Sequence, residues 1–353
     1  MADVRAFRLS DTHFEMLDQR ALPVEEVWLR PSSVAEVADA IETLAVRGAP
    51  AIGGAAALGT AFAADWALAT AALDVDGLKK AVRAAMERLA VTRPTAVNLF
   101  FALDAMRAVV DDNHADAAAL QAALHARARA LHDEDAAFCS AMGQHGAELF
   151  DDGDVVLTIC HTGALATCGQ GTALGVLKEA HRQGKRIRVL ALETRPLLQG
   201  ARLTAWECLQ EGLDVTLLTD NMMGAALQHQ GVTKAIAGAD RVAANGDAAN
   251  KIGTYTLATM CHAHGVPMYI AAPSSTFDLQ TAHGDDIVIE QRHADEVRTP
   301  RGAVFAPRDV PVFNPAFDVT PARLLAGIIT ERGVWQPPFD VDARDALLAT
   351  ETR

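Results

Sequence analysis

Two stretches of the chain carry residues suited to chemistry. In Gly238-Ala-Asp-Arg-Val-Ala-Ala-Asn-Gly-Asp-Ala-Ala-Asn-Lys251, a run of small apolar residues brings Asp240 to the end of an expected strand. The turn Asn245-Gly-Asp follows, then Asn250 and Lys251. Apolar surroundings disfavour a charged carboxylate, which makes Asp240 a candidate general acid. Its purely structural role would be an N-cap or a partner for Arg241. Asn250 and Lys251, expected at the start of the next helix, could hold a phosphate or a sugar hydroxyl. The second stretch is Cys160-His-Thr-Gly-Ala-Leu-Ala-Thr-Cys-Gly-Gln-Gly171. Its thiol opens a loop of small residues ahead of a helix, where it could act as base, acid or nucleophile. As structure alone it would be a buried, inert cysteine. Cys168 competes with it but stands farther from a strand.

Two arginines are candidate anion ligands. Arg47-Gly-Ala-Pro-Ala-Ile-Gly53 sets a guanidinium beside a glycine turn where backbone can approach a ligand closely. A positive charge at a helix C-terminus is favourable in any case, so the stretch by itself does not require a ligand. Arg93 precedes Pro94, which suits the first turn of a following helix. A solvated loop arginine is the plain reading there too.

The elements that must position these groups follow from periodicity. Residues 1–31 read as short strands and turns, with Phe7, Leu9, Phe14 and Met16 pointing inward. Ser33-Val-Ala-Glu36 has the capping-box spacing and opens a helix that should stop at Gly48. Further helices are expected at 55–73, 75–91, 95–112 and 115–150, with His114, His125 and His132 exposed. From Asp154 the rhythm changes. Strands at 155–159, 187–192, 215–218, 234–238 and 267–271 alternate with helices at 171–183, 200–211, 222–229 and 250–264. That is the pattern of a parallel sheet covered by helices. The fold class is α/β: a mainly helical N-terminal domain over 1–130, then a Rossmann-like parallel-sheet domain over 131–353. Right-handed crossovers put the strand C-terminal ends on one edge. Cys160-His-Thr, Glu193-Thr-Arg, Asp220-Asn, Asp240 and Pro273-Ser-Ser all fall there. Together they point to an active site.

Composition excludes several classes. The formal net charge of −14 argues against nucleic acid or an anionic membrane as partner. It leaves room for a small phosphorylated ligand bound by a local cluster of donors. The apolar run from Ala49 to Leu73 carries Asp65 and reads as a buried helix, not a membrane span. No signal-peptide pattern is present at the N-terminus of this sequence. Five cysteines, an odd number without a C-x-x-C pair, suit a reduced, cytoplasmic chain. Gly169-Gln-Gly-Thr-Ala-Leu-Gly175 is not the G-x-G-x-x-G of dinucleotide sites, and there is no Walker A motif. His293 and Asp295 lack the spacing of a metal site.

Longer motifs carry a resemblance. Arg47-Gly-Ala-Pro-Ala-Ile-Gly, Arg93-Pro-Thr-Ala-Val-Asn-Leu, Glu193-Thr-Arg-Pro-Leu-Leu-Gln-Gly-Ala-Arg-Leu-Thr-Ala-Trp-Glu207, Asp220-Asn-Met, Gly238-Ala-Asp-Arg-Val-Ala-Ala-Asn-Gly246, Asn250-Lys-Ile-Gly-Thr-Tyr and Pro273-Ser-Ser-Thr-Phe-Asp278 resemble the methylthioribose-1-phosphate isomerase family. The likeness runs from about Leu17 to Thr320. It implies an aldose–ketose isomerase of methionine salvage, a homodimer that needs no metal or nucleotide cofactor. It implies Cys160 and Asp240 as the catalytic pair, with Asp240 the proton donor. Arg47, Gly48, Ala49, Arg93, Gln199, Asn250 and Lys251 are implied as substrate contacts. One residue departs from the pattern: His161 stands where many members carry Asn. It could change the proton inventory of the reaction or relax substrate choice. Related isomerases act on 5-deoxyribose 1-phosphate or ribose 1,5-bisphosphate, and the same fold serves as regulatory subunits of a translation-initiation nucleotide exchange factor.

Overall fold

A computed structural model describes residues 4–94 and 96–349. By internal packing the chain divides into two units. One comprises Val4–Ala137 with Ala164–Gly171; the other comprises Phe138–Gly163 and the chain from Thr172 onward.

The first unit opens with β1 (Phe7–Leu9), β2 (Phe14–Leu17) and β3 (Trp28–Leu29), an antiparallel meander. Phe7, Phe14 and Met16 are buried, as their alternation predicts; Leu9 is half-buried. In α1 (Val34–Glu42) Ser33 accepts the Glu36 N–H at 3.3 Å. The Glu36 carboxylate does not return to Ser33. It accepts from the Ser32 N–H at 2.7 Å, so the box is displaced by one residue. This helix ends well before Gly48, and Leu44 takes a φ of 62°.

Gly48, at φ 99°, instead caps α2 (Ala49–Thr70), which starts earlier than expected because Pro50 fits its first turn. Every residue from Ala51 to Ala64 is buried. Among the described residues α2 alone is long and apolar enough to cross a membrane, yet 78% of its apolar window is buried inside the protein. It is a core helix, surrounded by α1, α3 (Val75–Ala90) and α4 (Val97–Asp111). Small residues permit the approach: a Cβ on Gly53 would stand 2.8 Å from the Asn98 carbonyl oxygen. Pro94 lies ahead of the Ala96 cap, outside the first turn of α4 where the sequence pattern had placed it. The Ala96 N–H closes a turn on the Arg93 carbonyl at 3.0 Å.

The long helix α5 (Ala117–Ala147) carries two of the three histidines expected at the surface, and His114 lies at its approach. All three are half-buried. His125 bonds Asp65 at 2.9 Å and meets the Phe62 ring edge-on, because an imidazole can pack its ring while its nitrogen keeps a polar partner.

The second unit is built on a seven-stranded sheet in the order β14-β13-β10-β7-β4-β5-β6. Its parallel strands are β4 (Val155–Thr158), β5 (Arg188–Leu192), β6 (Asp214–Leu218), β7 (Lys234–Ala237), β10 (Met268–Ala271) and β13 (Gly327–Thr330). β14 (Gly333–Trp335) pairs antiparallel at one edge. The helices between them are α6 (Ala173–Arg182), α7 (Ala205–Gln210, entered through a π turn at Gly200–Thr204), α8 (Met223–His229) and α9 (Thr254–Ala263). Near-continuous apolar runs such as Val189–Leu192 are what a sheet buried on both faces demands.

A second, four-stranded sheet was not anticipated. Its order is β11-β8-β9-β12, from β8 (Arg241–Ala243), β9 (Ala248–Lys251), β11 (Phe277–Asp278) and β12 (Phe317–Thr320). Short helices α10 (Asp295–Arg298) and α11 (Val341–Ala349) complete the unit. β8 and β9 form a hairpin around Asn245-Gly246-Asp247. Gly246 supplies the φ of 89°, and Asp247 accepts from the Asn245 amide at 2.8 Å.

Candidate active site

The polar residues expected after each strand do gather at the C-terminal edge of the large sheet. Cys160 lies two residues beyond β4 and Asp240 three beyond β7. These strands are hydrogen-bonded neighbours, with Thr158 opposite Ile236.

Cys160 is buried and holds a left-handed backbone at φ 68°, a conformation that costs free energy for a residue with a Cβ. Its peptide is gripped on both sides. The Cys160 N–H donates to Thr194 Oγ1 at 2.9 Å, and its carbonyl accepts from Thr204 Oγ1 at 2.7 Å. The Gln199 side-chain amide reaches the sulfur at 3.4 Å.

The β5–α7 segment that supplies these groups is itself bent sharply. Thr194 has φ 64° and Leu198 φ 58°. Asp220 holds it by accepting the Thr194 and Arg195 N–H groups at 2.8 and 2.7 Å. Burial and then the nearby Asp220 charge push the Glu193 carboxyl upward. Gly200 is required, since a Cβ there would lie 1.8 Å from the Leu192 carbonyl oxygen. Thr162, two residues beyond Cys160, accepts the Leu174 N–H at 3.0 Å and so anchors the start of α6.

Asp240, half-buried, begins the β8–β9 hairpin, its N–H bonded to the Ala249 carbonyl at 2.9 Å. Asn250 and Lys251 are placed differently from the sequence expectation. They are not the first turn of a helix; they end β9, paired with β12. The reason is the hairpin turn, which returns the chain to the sheet before α9 can begin. The free N–H groups at the start of α9 already serve Asp318, which accepts from Gly253 at 2.7 Å and Tyr255 at 3.0 Å. That helix terminus therefore has a carboxylate of its own. Asn250 is buried and donates to Thr254 Oγ1 at 2.9 Å. Lys251 donates to the Ala316 carbonyl at 2.7 Å, with its ammonium 4.6 Å from the Phe317 ring centre.

The other expected contacts belong to the helical unit. Arg47, Gly48 and Ala49 stand at the start of α2, and Arg93 in the turn before α4, both arginines half-buried. In the same unit the segment Ala164–Gly171 packs tightly. A Cβ on Gly48 would come within 2.5 Å of Ala166 Cα, and the Gln19 amide donates to the Leu165 carbonyl at 2.7 Å. The Cys168 N–H donates to Asp135 at 2.6 Å.

Two of the other thiols, Cys208 and Cys261, are poor candidates for chemistry. Burial pushes Cys261 up to about 12 and Cys208 further. Among the described residues no group of three or more His, Cys, Asp or Glu could hold a metal ion. Thr194 falls among the expected strand-end residues; Thr204 and Glu207, which follow no strand directly, carry no such signal.

A helical unit followed by a parallel-sheet unit, with a clamped cysteine and an acid at neighbouring strand ends, defines a two-unit α/β protein with a strand-edge site. Residues 45–337 match the Initiation factor 2 subunit family, and the chain belongs to that family. A methylthioribose-1-phosphate isomerase of Heliobacterium modesticaldum is 51% identical over 94% of this chain and 96% of its own length. A solved 5-methylthioribose 1-phosphate isomerase from Pyrococcus horikoshii superposes with a TM-score of 0.89 at 42% identity, covering 97% of this chain and 95% of that one. A structure described as translation initiation factor eIF-2B, subunit delta, from A. fulgidus gives the same TM-score at 44% identity, covering 98% and 99%.

Proposed function

We propose that this protein is an aldose–ketose isomerase that converts 5-methylthioribose 1-phosphate to 5-methylthioribulose 1-phosphate in methionine salvage. The observation that carries this is the 51% identity, over nearly the full length of both chains, to a curated isomerase of that name. The clamped thiol of Cys160 at the sheet edge supports it.

The reaction opens the sugar ring. The C1–O4 bond breaks and O4 gains a hydrogen. C2 loses its hydrogen, C1 gains one, and the C2 hydroxyl gives up its proton to become a carbonyl. In this reading Asp240 donates a proton at the ring oxygen or C1, and Cys160 handles the hydrogen on C2. Gln199 orients the sulfur. In this reading the substrate contacts are those the resemblance implies: Arg47, Gly48, Ala49, Arg93, Gln199, Asn250 and Lys251. Fixed N–H and ammonium donors in apolar surroundings stabilise enolate-type charge better than water does. The working form is a cytoplasmic homodimer in this reading.

The test is turnover of methylthioribose 1-phosphate by the wild type, Cys160→Ala and Asp240→Asn. Each variant should lose roughly three orders of magnitude or more in kcat, as groups acting on the reacting atoms do. Near-normal turnover in one variant removes that residue from the chemistry. No turnover by the wild type would favour a regulatory role, which the name of the 44%-identical A. fulgidus structure keeps in view. Faster turnover of 5-deoxyribose 1-phosphate or ribose 1,5-bisphosphate would reassign the substrate.

A further inference from the structure

Behind Cys160 lies a buried charged cluster that the reaction above does not use. The side chains of His161 and Glu207 are fully buried, Lys178 is 2% exposed and Glu211 7%. Lys178 Nζ lies 2.9 Å from Glu207 and 2.8 Å from Glu211. The His161 ring stands between Thr204 and Glu207, with Nδ1 3.1 Å from Thr204 Oγ1 and Nε2 3.2 Å from Glu207 Oε2. So the residue that departs from the resemblance is turned into this cluster.

Counting hydrogens fixes the state of the ring. The Thr204 hydroxyl has one hydrogen and donates it to the Cys160 carbonyl. Its lone pair therefore faces Nδ1, and Nδ1 must carry a hydrogen. A bare Nε2 and a carboxylate oxygen would repel at 3.2 Å, so one of the two groups carries a further proton, and an imidazole is intrinsically the stronger base. The two atoms lie at ion-pair distance without hydrogen-bond geometry. Gly163 is what lets the loop pass over the carboxylate, since a Cβ there would meet Glu207 Oε2 at 2.3 Å.

We propose that His161 and Glu207 are positioning residues for Cys160, an inference that rests on the catalytic reading of that cysteine. A chain of contacts runs from Lys178 through Glu207, the imidazolium and the Thr204 hydroxyl to the Cys160 carbonyl. It holds the left-handed peptide and so fixes the direction of the thiol. Neither residue touches the substrate.

His161→Asn and His161→Leu test this. The Asn amide nitrogen branches from Cγ as Nδ1 does and can still donate to Thr204; Leu cannot. His161→Leu should lower kcat about 30-fold with KM within about threefold, and His161→Asn should recover most of that loss. If His161→Leu does not fold, Thr204→Val makes the same comparison and should show the same kcat loss. Ring ¹⁵N shifts in histidine-labelled wild type, with His161 assigned from the Asn variant, should show both nitrogens protonated at neutral pH. Equal kcat in the Leu and Asn variants, or a ring nitrogen without a proton, overturns the proposal while Cys160→Ala remains dead. Near-normal turnover in Cys160→Ala overturns the catalytic reading first, and this inference with it.

Discussion

The Gln199 side-chain amide stands 3.4 Å from the Cys160 sulfur, at the end of a segment that bends through two left-handed residues to bring it there. An N–H donor stabilises a thiolate more than a thiol. Gln199→Leu keeps most of the side-chain volume and removes the donor. It should slow turnover about tenfold and slow alkylation of Cys160, read by mass spectrometry of that one cysteine. Unchanged alkylation would show that the amide does not govern the sulfur.

Gly200 sets how closely that segment approaches β5. A Cβ would lie 1.8 Å from the Leu192 carbonyl oxygen and 2.8 Å from Thr194 Oγ1. Neither backbone can yield without moving Thr194, which holds the Cys160 N–H. Gly200→Ala should cost about 3 kcal/mol, the upper end for overpacking. It should also lower kcat. The checks are the denaturation midpoint and the turnover of the folded fraction.

Lys178 is the cation that two buried carboxylates share. Lys178→Met retains the aliphatic stem but leaves Glu207 and Glu211 without their common partner. Breaking one side of a buried ion pair costs about 3–5 kcal/mol. The exposed pair Arg83–Asp111, at 2.6 Å, gives the contrast. Arg83→Met should change stability by less than about 1 kcal/mol. Urea denaturation of both variants tests the difference.

The fold was most legible in the sequence where local pattern and burial agree. The strands β4, β5, β7 and β10 are largely buried apolar runs between turns, while β6 is the half-exposed edge strand, and the polar residues just beyond them lie at the sheet edge. Cys160 and Asp240 were placed by that logic alone. It failed at Asn250 and Lys251, where a hairpin closed by Gly246 competes with helix formation and wins. Ala248-Ala-Asn-Lys has helical propensity; pairing with β12 overrides it. The Thr204–His161–Glu207 contacts join residues some 40 positions apart, and no periodicity reports such a pairing. For the same reason the left-handed backbones of Cys160, Thr194 and Leu198 left no trace. None is glycine or asparagine, and only tertiary contacts stabilise them.

Asp135 in the helical unit should make stability depend on pH in an unusual direction. Burial raises its carboxyl from 3.8 to about 6, against the Cys168 N–H bond and the His132 charge, which lower it. The folded protein therefore binds this proton more tightly than the unfolded chain. Below the unfolded value both states are protonated and the contribution is fully present. It is lost as pH rises through the folded value, because the folded state must then hold a buried charge. A shift of this size corresponds to about 3 kcal/mol between acid and neutral pH. Asp135→Asn keeps an oxygen to accept the Cys168 N–H and removes the ionisation. The variant should be more stable than the wild type at pH 8, and the gap should shrink as pH falls from 6 toward 4. Urea denaturation of both proteins across that range measures it. A gap that stays constant with pH would show that Asp135 does not titrate in the folded protein.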